Sequence, residues 1–134
     1  MTNILPKILI VDDKPQNLIA MEMIFENEPC EIIKASSGND ALAEIITNNF
    51  ALILLDVQMP EMDGFETAHR MRKIDKDHHI PIIFVTALKN SEEHISKGYE
   101  FQAVDYLSKP VSPRSSRRNH KVPNLIFTFV FFVF

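Results

Sequence analysis

Short strand-like runs recur along this chain, and each is followed by a longer segment with helical spacing. Most of these runs are continuously apolar, which indicates strands buried on both faces, as in a parallel sheet with helices on both sides. Five of them lie between residues 7 and 112, at 8–11, 31–35, 52–55, 82–85 and 103–107. The alternation of strand and helix therefore predicts an α/β fold with a doubly wound parallel sheet.

Helix signals occupy the segments between the strands. Pro15 suits the first turn of one helix, which we expect to end near Asn27. Ser37 opens a second helix and Gly64 begins a third. Residues 90–93 have the pattern of a capping box at the start of a fourth.

Length, net charge, cysteine content and the lengths of the apolar runs exclude several classes of protein. A chain of 134 residues fits one domain. Its formal net charge of −4 argues against direct nucleic acid binding, which needs a concentrated basic patch. The single cysteine, Cys30, rules out an internal disulfide framework and fits a reducing compartment. No segment approaches the apolar run of about 18 residues that a membrane-spanning helix requires, so we expect a cytoplasmic protein without membrane insertion.

Polar residues stand at or just beyond the ends of four of the predicted strands. The carboxyl ends of parallel strands meet at one edge of a sheet, where ligands bind, so we expect these residues to converge: Asp12, Asp13, Asp56, Thr86 and Lys109. Three carboxylates in one pocket repel one another and create a demand for a cation. All the ligands on offer are oxygens, which favours a hard ion such as Mg²⁺.

The same pocket contains the groups that phosphoryl transfer needs. Asp56 offers a carboxylate nucleophile, Lys109 a positive charge and Thr86 a hydroxyl donor. Together with a metal site, these groups can act by positioning and electrostatics alone. The pocket therefore predicts phosphoryl chemistry at the carboxyl edge of the sheet.

The sequence around these positions resembles the response-regulator receiver domains of two-component signalling. Four stretches carry the resemblance, namely ILIVDD from residue 8, LLDVQMP with MDG from residue 54, PIIFVTA from residue 81 and VDYLSKP from residue 104. They occur in the family's order and spacing over residues 7–112. The resemblance implies a flavodoxin-like, five-stranded sheet in the order 2-1-3-4-5. It also implies a cis peptide bond before Pro110.

The resemblance assigns roles to the acidic residues. Asp56 would be the phosphoacceptor, and its donor would be a sensor histidine kinase or a histidine phosphotransfer protein. Asp13 and Asp56 would bind Mg²⁺ directly, together with the backbone carbonyl of Gln58, and Asp12 would act through water. The chain would be a signalling phosphoacceptor with intrinsic autodephosphorylation, and a homodimer is compatible with it.

The remaining roles concern the phosphoryl oxygens and the output surface. The resemblance implies that Thr86, Lys109 and the backbone N–H of Ala87 would hold the phosphoryl oxygens. Tyr106 would follow the state of Thr86 and relay it to the surface. Gly64 would keep the loop after the phosphoacceptor clear of the site. The output itself stays open, because a stand-alone regulator and a piece of a longer regulator or hybrid kinase fit equally well.

Two other classes of protein use part of this pattern. Phosphatases of the haloacid-dehalogenase type also combine a nucleophilic Asp with Thr, Lys and Mg²⁺. They need a second acid two residues after the nucleophile, where Gln58 stands in this chain. A flavodoxin-like cofactor binder needs a glycine-rich loop after the first strand, where residues 13–15 are Asp, Lys and Pro.

Simpler explanations exist for single residues. Asp12 or Asp13 could serve as the N-cap of the first helix, and Tyr106 could be ordinary strand packing. Glu61 and Asp63 are interpreted as solvated acids of a loop. None of these readings accounts for three acids that converge on one edge.

The end of the chain departs from the family pattern. The family has an amphipathic fifth helix here, whereas residues 114–121 are basic and polar, and Pro123 would interrupt any helix. Residues 125–134 contain five of the ten phenylalanines. We therefore predict a receiver domain over residues 1–112 and an atypical tail over residues 113–134. A shifted reading frame and a genuine tail that buries its Phe side chains on the sheet or on a second subunit both stay open.

Overall fold

A computed structural model of the protein describes residues 5–75, 80–86 and 103–108, with the backbone alone for Thr86 and for residues 103–108. The strands in these ranges are β1 (Lys7–Val11), β2 (Glu31–Ala35), β3 (Leu52–Asp56), β4 (Ile82–Thr86) and β5 (Ala103–Ser108). The helices are α1 (Pro15–Ile24), α2 (Gly38–Thr47) and α3 (Gly64–Ile74). Each strand lies within two residues of the run that predicted it.

The five strands form one parallel sheet in the order β2-β1-β3-β4-β5, which confirms the predicted topology. Val11 at the end of β1 lies opposite Ala35 and Leu55, and Asp56 lies opposite Val85. The strand order reverses between β1 and β3, and ligands of open parallel sheets bind at such a reversal. The carboxyl ends of β1 and β3 therefore form the edge at which a site is expected.

Successive residues of each central strand pack into two different clusters. In β1, Leu9 and Val11 belong to the cluster that contains side chains of α2 and α3, whereas Ile8 and Ile10 belong to the cluster that contains side chains of α1. All four are fully buried, and burying a side chain of this size contributes about 1.5–3 kcal/mol. Burial on both faces is the physical reason why the strands are apolar without alternation.

The helix termini differ in detail from the sequence prediction. α1 ends at Ile24 instead of near Asn27, because the next two residues donate backbone hydrogen bonds to carbonyls three positions earlier and tighten the last turn. α2 has the predicted start, and the Ser37 hydroxyl accepts a hydrogen bond from the N–H of Asp40 at 3.0 Å. A side-chain cap thus fixes where α2 begins.

The start of α3 shows a role that the sequence interpretation missed. Asp63 is the N-cap, and its Oδ1 accepts a hydrogen bond from the N–H of Glu66 at 2.8 Å. Asp63 is exposed, as expected of a solvated loop acid, but that interpretation missed its capping role. An Asp followed three residues later by a Glu has the spacing of a capping box, and that signal could have identified it.

The end of α3 is joined to the start of β4 by side chains. Oδ2 of Asp75 accepts a hydrogen bond from the N–H of Ile80 at 2.8 Å, and Nη1 of Arg72 donates to the Ile80 carbonyl at 2.8 Å. Nη1 of Arg72 also lies 3.6 Å from Oδ2 of Asp75. Burial lowers the pKa of Arg72, and the nearby Asp75 carboxylate partly opposes that effect. We call these three residues the β4 clasp.

Several predictions concern residues outside the described ranges. They are the capping box at 90–93, the cis bond before Pro110 and the tail at 113–134. In the part of the chain that is described, no helix has the length and apolar character needed to cross a membrane.

Candidate functional site

Asp12 lies directly after β1, where its backbone continues the sheet. Its N–H donates to the carbonyl of Ala35 at 3.1 Å, and the residue is fully buried. Its Oδ1 accepts hydrogen bonds from the backbone N–H of Lys14 at 3.0 Å and from Nδ2 of Asn17 at 3.3 Å. The N-cap of α1 is Lys14, which is followed by Pro15, and the Lys14 side chain makes no capping hydrogen bond. The alternative that Asp12 or Asp13 is this N-cap is therefore wrong.

Asp56 is the last residue of β3 and is 1% exposed. The chain leaves the sheet in a fixed direction, because Val57 donates to the Val85 carbonyl at 3.1 Å and Gly64 donates to the Val57 carbonyl at 2.8 Å. A Cβ on Gly64 would collide with the carbonyl oxygen of Asp56. Glycine at this position therefore lets α3 begin directly against the strand end that carries Asp56.

The three predicted acids converge at this edge of the sheet. Asp12, Asp13 and Asp56 each offer a carboxylate oxygen, and these oxygens all lie within 4.8 Å of one another. Asp12 and Asp56 are buried, and Asp13 is half-buried. At this separation each pair of like charges repels by roughly 3 kcal/mol at an effective dielectric constant of about 20. We call these three residues the acidic cluster.

The composition of the acidic cluster fits a small, hard cation. Its donors are carboxylate oxygens, which Mg²⁺ prefers over nitrogen or sulfur ligands. A bound divalent ion would also offset the mutual repulsion of three negative charges in a buried place. On the chemistry of its donors, the cluster is a candidate Mg²⁺ site.

The loop between β3 and α3 carries backbone strain next to the acidic cluster. Glu61 has a φ of 70°, and the N–H of Met62 donates to the Pro60 carbonyl at 2.8 Å, which closes a γ-turn around Glu61. A γ-turn with positive φ is rare and strained for a residue with a side chain. The Glu61 side chain is exposed as predicted, and the Gln58 side chain is exposed too. The sequence gives no sign of the backbone conformation of Glu61.

The loop is held against α2 on its inner side. Met62 is 9% exposed, and a Cβ on Gly38 would lie within 2.8 Å of the Met62 sulfur. The same Cβ would also collide with Oγ1 of Thr67, which donates to the Asp63 carbonyl at 2.8 Å. The absence of a side chain at Gly38 therefore allows α2 and the loop after β3 to touch.

The remaining predicted site residues are only partly described. The backbone of Thr86 ends β4, and the backbone of Tyr106 lies opposite Phe84 in β5. Thr86 ends its strand as expected, and Tyr106 lies within the expected strand. The structure describes the side chain of neither residue. Ala87 and Lys109 fall outside the described residues altogether. Their predicted contacts with phosphoryl oxygens stay predictions.

Cys30 directly precedes β2 and therefore lies at the opposite edge of the sheet from the acidic cluster. It packs partly buried beside the cluster that α1 covers. Burial, and secondarily the charge of Glu28, raises the pKa of the Cys30 thiol to about 11. Because the thiolate is the reactive form, Cys30 is a poor nucleophile at neutral pH.

Comparison with known proteins shows which family this sequence resembles. Residues 8–119 match the profile of the response regulator receiver domain family. The transcriptional regulatory protein SrrA of Staphylococcus aureus is 43% identical over 108 residues, which are 81% of this chain and 43% of SrrA. The chain thus spans less than half the length of this relative.

Solved receiver structures share the architecture. Chemotaxis protein CheY4 of Vibrio cholerae superposes with a TM-score of 0.78 at 28% identity, over 87% of this chain and 96% of its own. A CheY-like receiver domain protein of Methanospirillum hungatei gives 0.78 at 30% identity, over 93% and 96%. Response regulator TrrA of Thermotoga maritima, solved in complex with Mg²⁺ and BeF, gives 0.74 at 26% identity, over 93% and 99%. The chain therefore belongs to the response regulator receiver domain family and is a receiver domain of a two-component response regulator.

Proposed function

We propose that Asp56 accepts a phosphoryl group from the phosphohistidine of a sensor kinase or of a histidine phosphotransfer protein. The observation that carries this proposal is the acidic cluster, in which the buried Asp56 carboxylate lies within 4.8 Å of those of Asp12 and Asp13. A carboxylate is an effective nucleophile for phosphoryl groups. Its position at the carboxyl end of β3, beside the reversal of strand order, is where ligands of this fold class bind.

The proposed cofactor is Mg²⁺. Asp13 and Asp56 would hold it together with the backbone carbonyl of Gln58, and Asp12 would contact it through water. When bound, the ion would neutralise charge on the phosphoryl oxygens. The related TrrA, which was solved with Mg²⁺ and the phosphoryl mimic BeF, supports this choice of ion.

The transfer itself needs one bond to form and one to break. An oxygen of Asp56 would bond to phosphorus while the bond between phosphorus and the imidazole nitrogen of the donor breaks, and the imidazole leaves with the electron pair. Thr86, Lys109 and the N–H of Ala87 would hold the phosphoryl oxygens, and Tyr106 would respond to Thr86 as the switch. Hydrolysis of the aspartyl phosphate would reset the protein.

The wider setting follows from these roles. We propose residues 1–112 as the phosphoaccepting unit, although the family profile also covers part of the proposed tail at 113–134. The proposed partner is a histidine kinase or phosphotransfer protein in the cytoplasm, and a second copy of the chain is compatible with this role. The net charge of −4 favours signalling through a protein partner over direct nucleic acid binding by this chain.

Phosphorylation by acetyl phosphate and Mg²⁺ tests the assignment of Asp56. Intact-mass spectrometry should show one added phosphoryl group on the unaltered protein and none on Asp56→Asn. Asp40→Asn makes the same chemical change on the exposed face of α2 and should be labelled normally. Equal labelling of the unaltered protein and Asp56→Asn would rule out Asp56 as the acceptor.

A further inference from the structure

Asn17 is a polar residue of the first turn of α1 that the proposed transfer does not use. It is half-buried, and its backbone N–H donates to the Lys14 carbonyl at 3.0 Å, as a helical residue does. Asn lowers helix stability relative to apolar straight-chain residues. Its side chain must therefore contribute something other than helix propensity.

The Asn17 side chain contacts the most buried acid of the cluster. Its Nδ2 donates to Oδ1 of Asp12 at 3.3 Å, and the N–H of Lys14 donates to the same oxygen at 3.0 Å. Both donors belong to the start of α1, so one oxygen of Asp12 is tied to the helix. Oδ2 of Asp12 is completely buried as well.

We propose that Asn17 is a positioning residue for the Mg²⁺ site, which rests on the function proposed above. The final torsion of an Asp side chain has a broad energy profile, so a carboxylate without directed donors samples many orientations. Two donors on Oδ1 fix the plane of the Asp12 carboxylate. Oδ2 is then held ready to meet a cation, or water bound to it, beside Asp13 and Asp56.

The neutral charge of Asn17 is part of this role. A Lys or Arg donor at the same position would neutralise Asp12 and compete with the cation, whereas an Asp would add a fourth negative charge. An amide orients the carboxylate and leaves the negative charge of the acidic cluster unchanged. Residues that orient metal ligands in this way typically change metal affinity by 10–100-fold when they are replaced.

Mg²⁺ titration of the full chain, followed by NMR chemical shifts, tests the role of Asn17. Asn17→Leu removes the donor at similar volume and should weaken Mg²⁺ binding roughly tenfold. Asn17→Ala removes the donor without adding bulk and should behave in the same way. Gln16→Leu alters the exposed neighbour on α1 and should leave binding unchanged, whereas Asp13→Ala should abolish it.

Two further readouts separate positioning from general damage. Melting without Mg²⁺ should change little in Asn17→Leu, because the better helix propensity of Leu offsets part of the loss of a hydrogen bond to the buried Asp12. Acetyl phosphate labelling of this variant should be slow at limiting Mg²⁺ and recover at saturating Mg²⁺. Unchanged Mg²⁺ affinity in Asn17→Leu and Asn17→Ala would overturn the role of Asn17 alone. Absence of Mg²⁺ binding by the unaltered protein would overturn the metal site and, with it, the role of Asn17.

Discussion

Helix α3 runs between two edges of the sheet, and each edge has a buried carboxylate. The charges around these two carboxylates are of opposite sign. Where α3 begins, Asp56 lies within 4.8 Å of the carboxylates of Asp12 and Asp13. Where α3 ends, Asp75 accepts a hydrogen bond from Ile80 and lies 3.6 Å from the guanidinium of Arg72. A buried charge is costly unless it is paired and hydrogen-bonded. The β4 clasp places a positive charge beside its carboxylate, whereas the acidic cluster brings three like charges together, which a cation would offset.

Backbone strain is also present at the end of α3 that lies beside the acidic cluster. Among the described residues, Glu61 is the non-glycine residue with positive φ, and it lies in the loop that follows Asp56. Strain of this kind persists where surrounding structure enforces it and is common near functional sites. One end of α3 therefore places a counter-charge beside its buried carboxylate, whereas the other end combines like charges with a strained loop, as expected of a binding site.

The largest expected contrast is between Asp75→Asn and Asp56→Asn in the absence of Mg²⁺. Asp75→Asn removes the carboxylate charge beside the partly buried Arg72 and should lower the free energy of unfolding by about 1–3 kcal/mol. Asp56→Asn removes one of three repelling charges and should leave stability unchanged or raised. Urea unfolding of both variants measures the contrast. Equal destabilisation would mean that the two ends do not differ.

Removing the cap of α3 should have the next largest effect. Asp63→Ala deletes the side-chain hydrogen bond to Glu66 and should cost about 1 kcal/mol of stability. It should also slow labelling by acetyl phosphate, because the start of α3 holds Gly64 against the Asp56 carbonyl. Ser37→Ala removes the equivalent cap of α2 and is the matched control. We expect it to lose similar stability in urea unfolding but to be labelled at the normal rate.

Relief of strain in the loop after β3 should give a smaller gain. Glu61→Gly removes the penalty of positive φ, partly offset by the greater freedom of glycine in the unfolded chain, and should stabilise by roughly 0.5 kcal/mol. Glu66→Gly makes the same change within α3 and should instead destabilise by about 1 kcal/mol. Thermal melting compares the two. A loss of stability in Glu61→Gly would show that the γ-turn is not strained.

The smallest effect is expected from an exposed carboxylate of α3. A hydrogen bond from Arg70, whose Nε lies 2.9 Å from Oε1 of Glu66, holds the pKa of Glu66 below its usual value. The contribution of this ion pair to the stability of the fold should be present above the ordinary pKa of glutamate. It should disappear as pH falls through the lowered pKa of Glu66. The melting temperatures of the unaltered protein and Glu66→Gln should therefore differ slightly at neutral pH and converge in acid. A difference that persists in acid, or in high salt, would not be electrostatic.

The sequence was sufficient to predict the fold, because its strongest signal, the continuous apolar runs, reflects burial of the strands on both faces. Runs that are apolar on both faces correspond to strands such as β1 and β3, and their ends locate Asp12 and Asp56 at one edge. The predicted convergence of the three acids needed only that parallel strands share an edge. The capping role of Asp63 was also within reach, since the spacing to Glu66 is a local pattern.

Other features depend on geometry that no local pattern records. The hydrogen bond from Asn17 to Asp12 depends on where the first turn of α1 meets the end of β1. The positive φ of Glu61 lies in a loop that packs against α2 through Met62, a contact between residues far apart in the sequence. The hydrogen bond from Ile80 to Asp75 joins residues on either side of the connection to β4, so no local sequence pattern indicates it.

The strand order also has a consequence for how the protein is made on the ribosome. β1 is synthesised before β2 and β3, yet it lies between them and pairs with both. At about 5–20 residues per second, translation needs roughly two to nine seconds to pass from Ile8 to its partner Leu52. During that interval one edge of a strand with four consecutive apolar residues has no native neighbour, and such edges pair readily with other chains. The nascent chain is therefore open to misassembly after β1 leaves the ribosome and until Leu52 follows it, and chaperone contact at that stage would protect it.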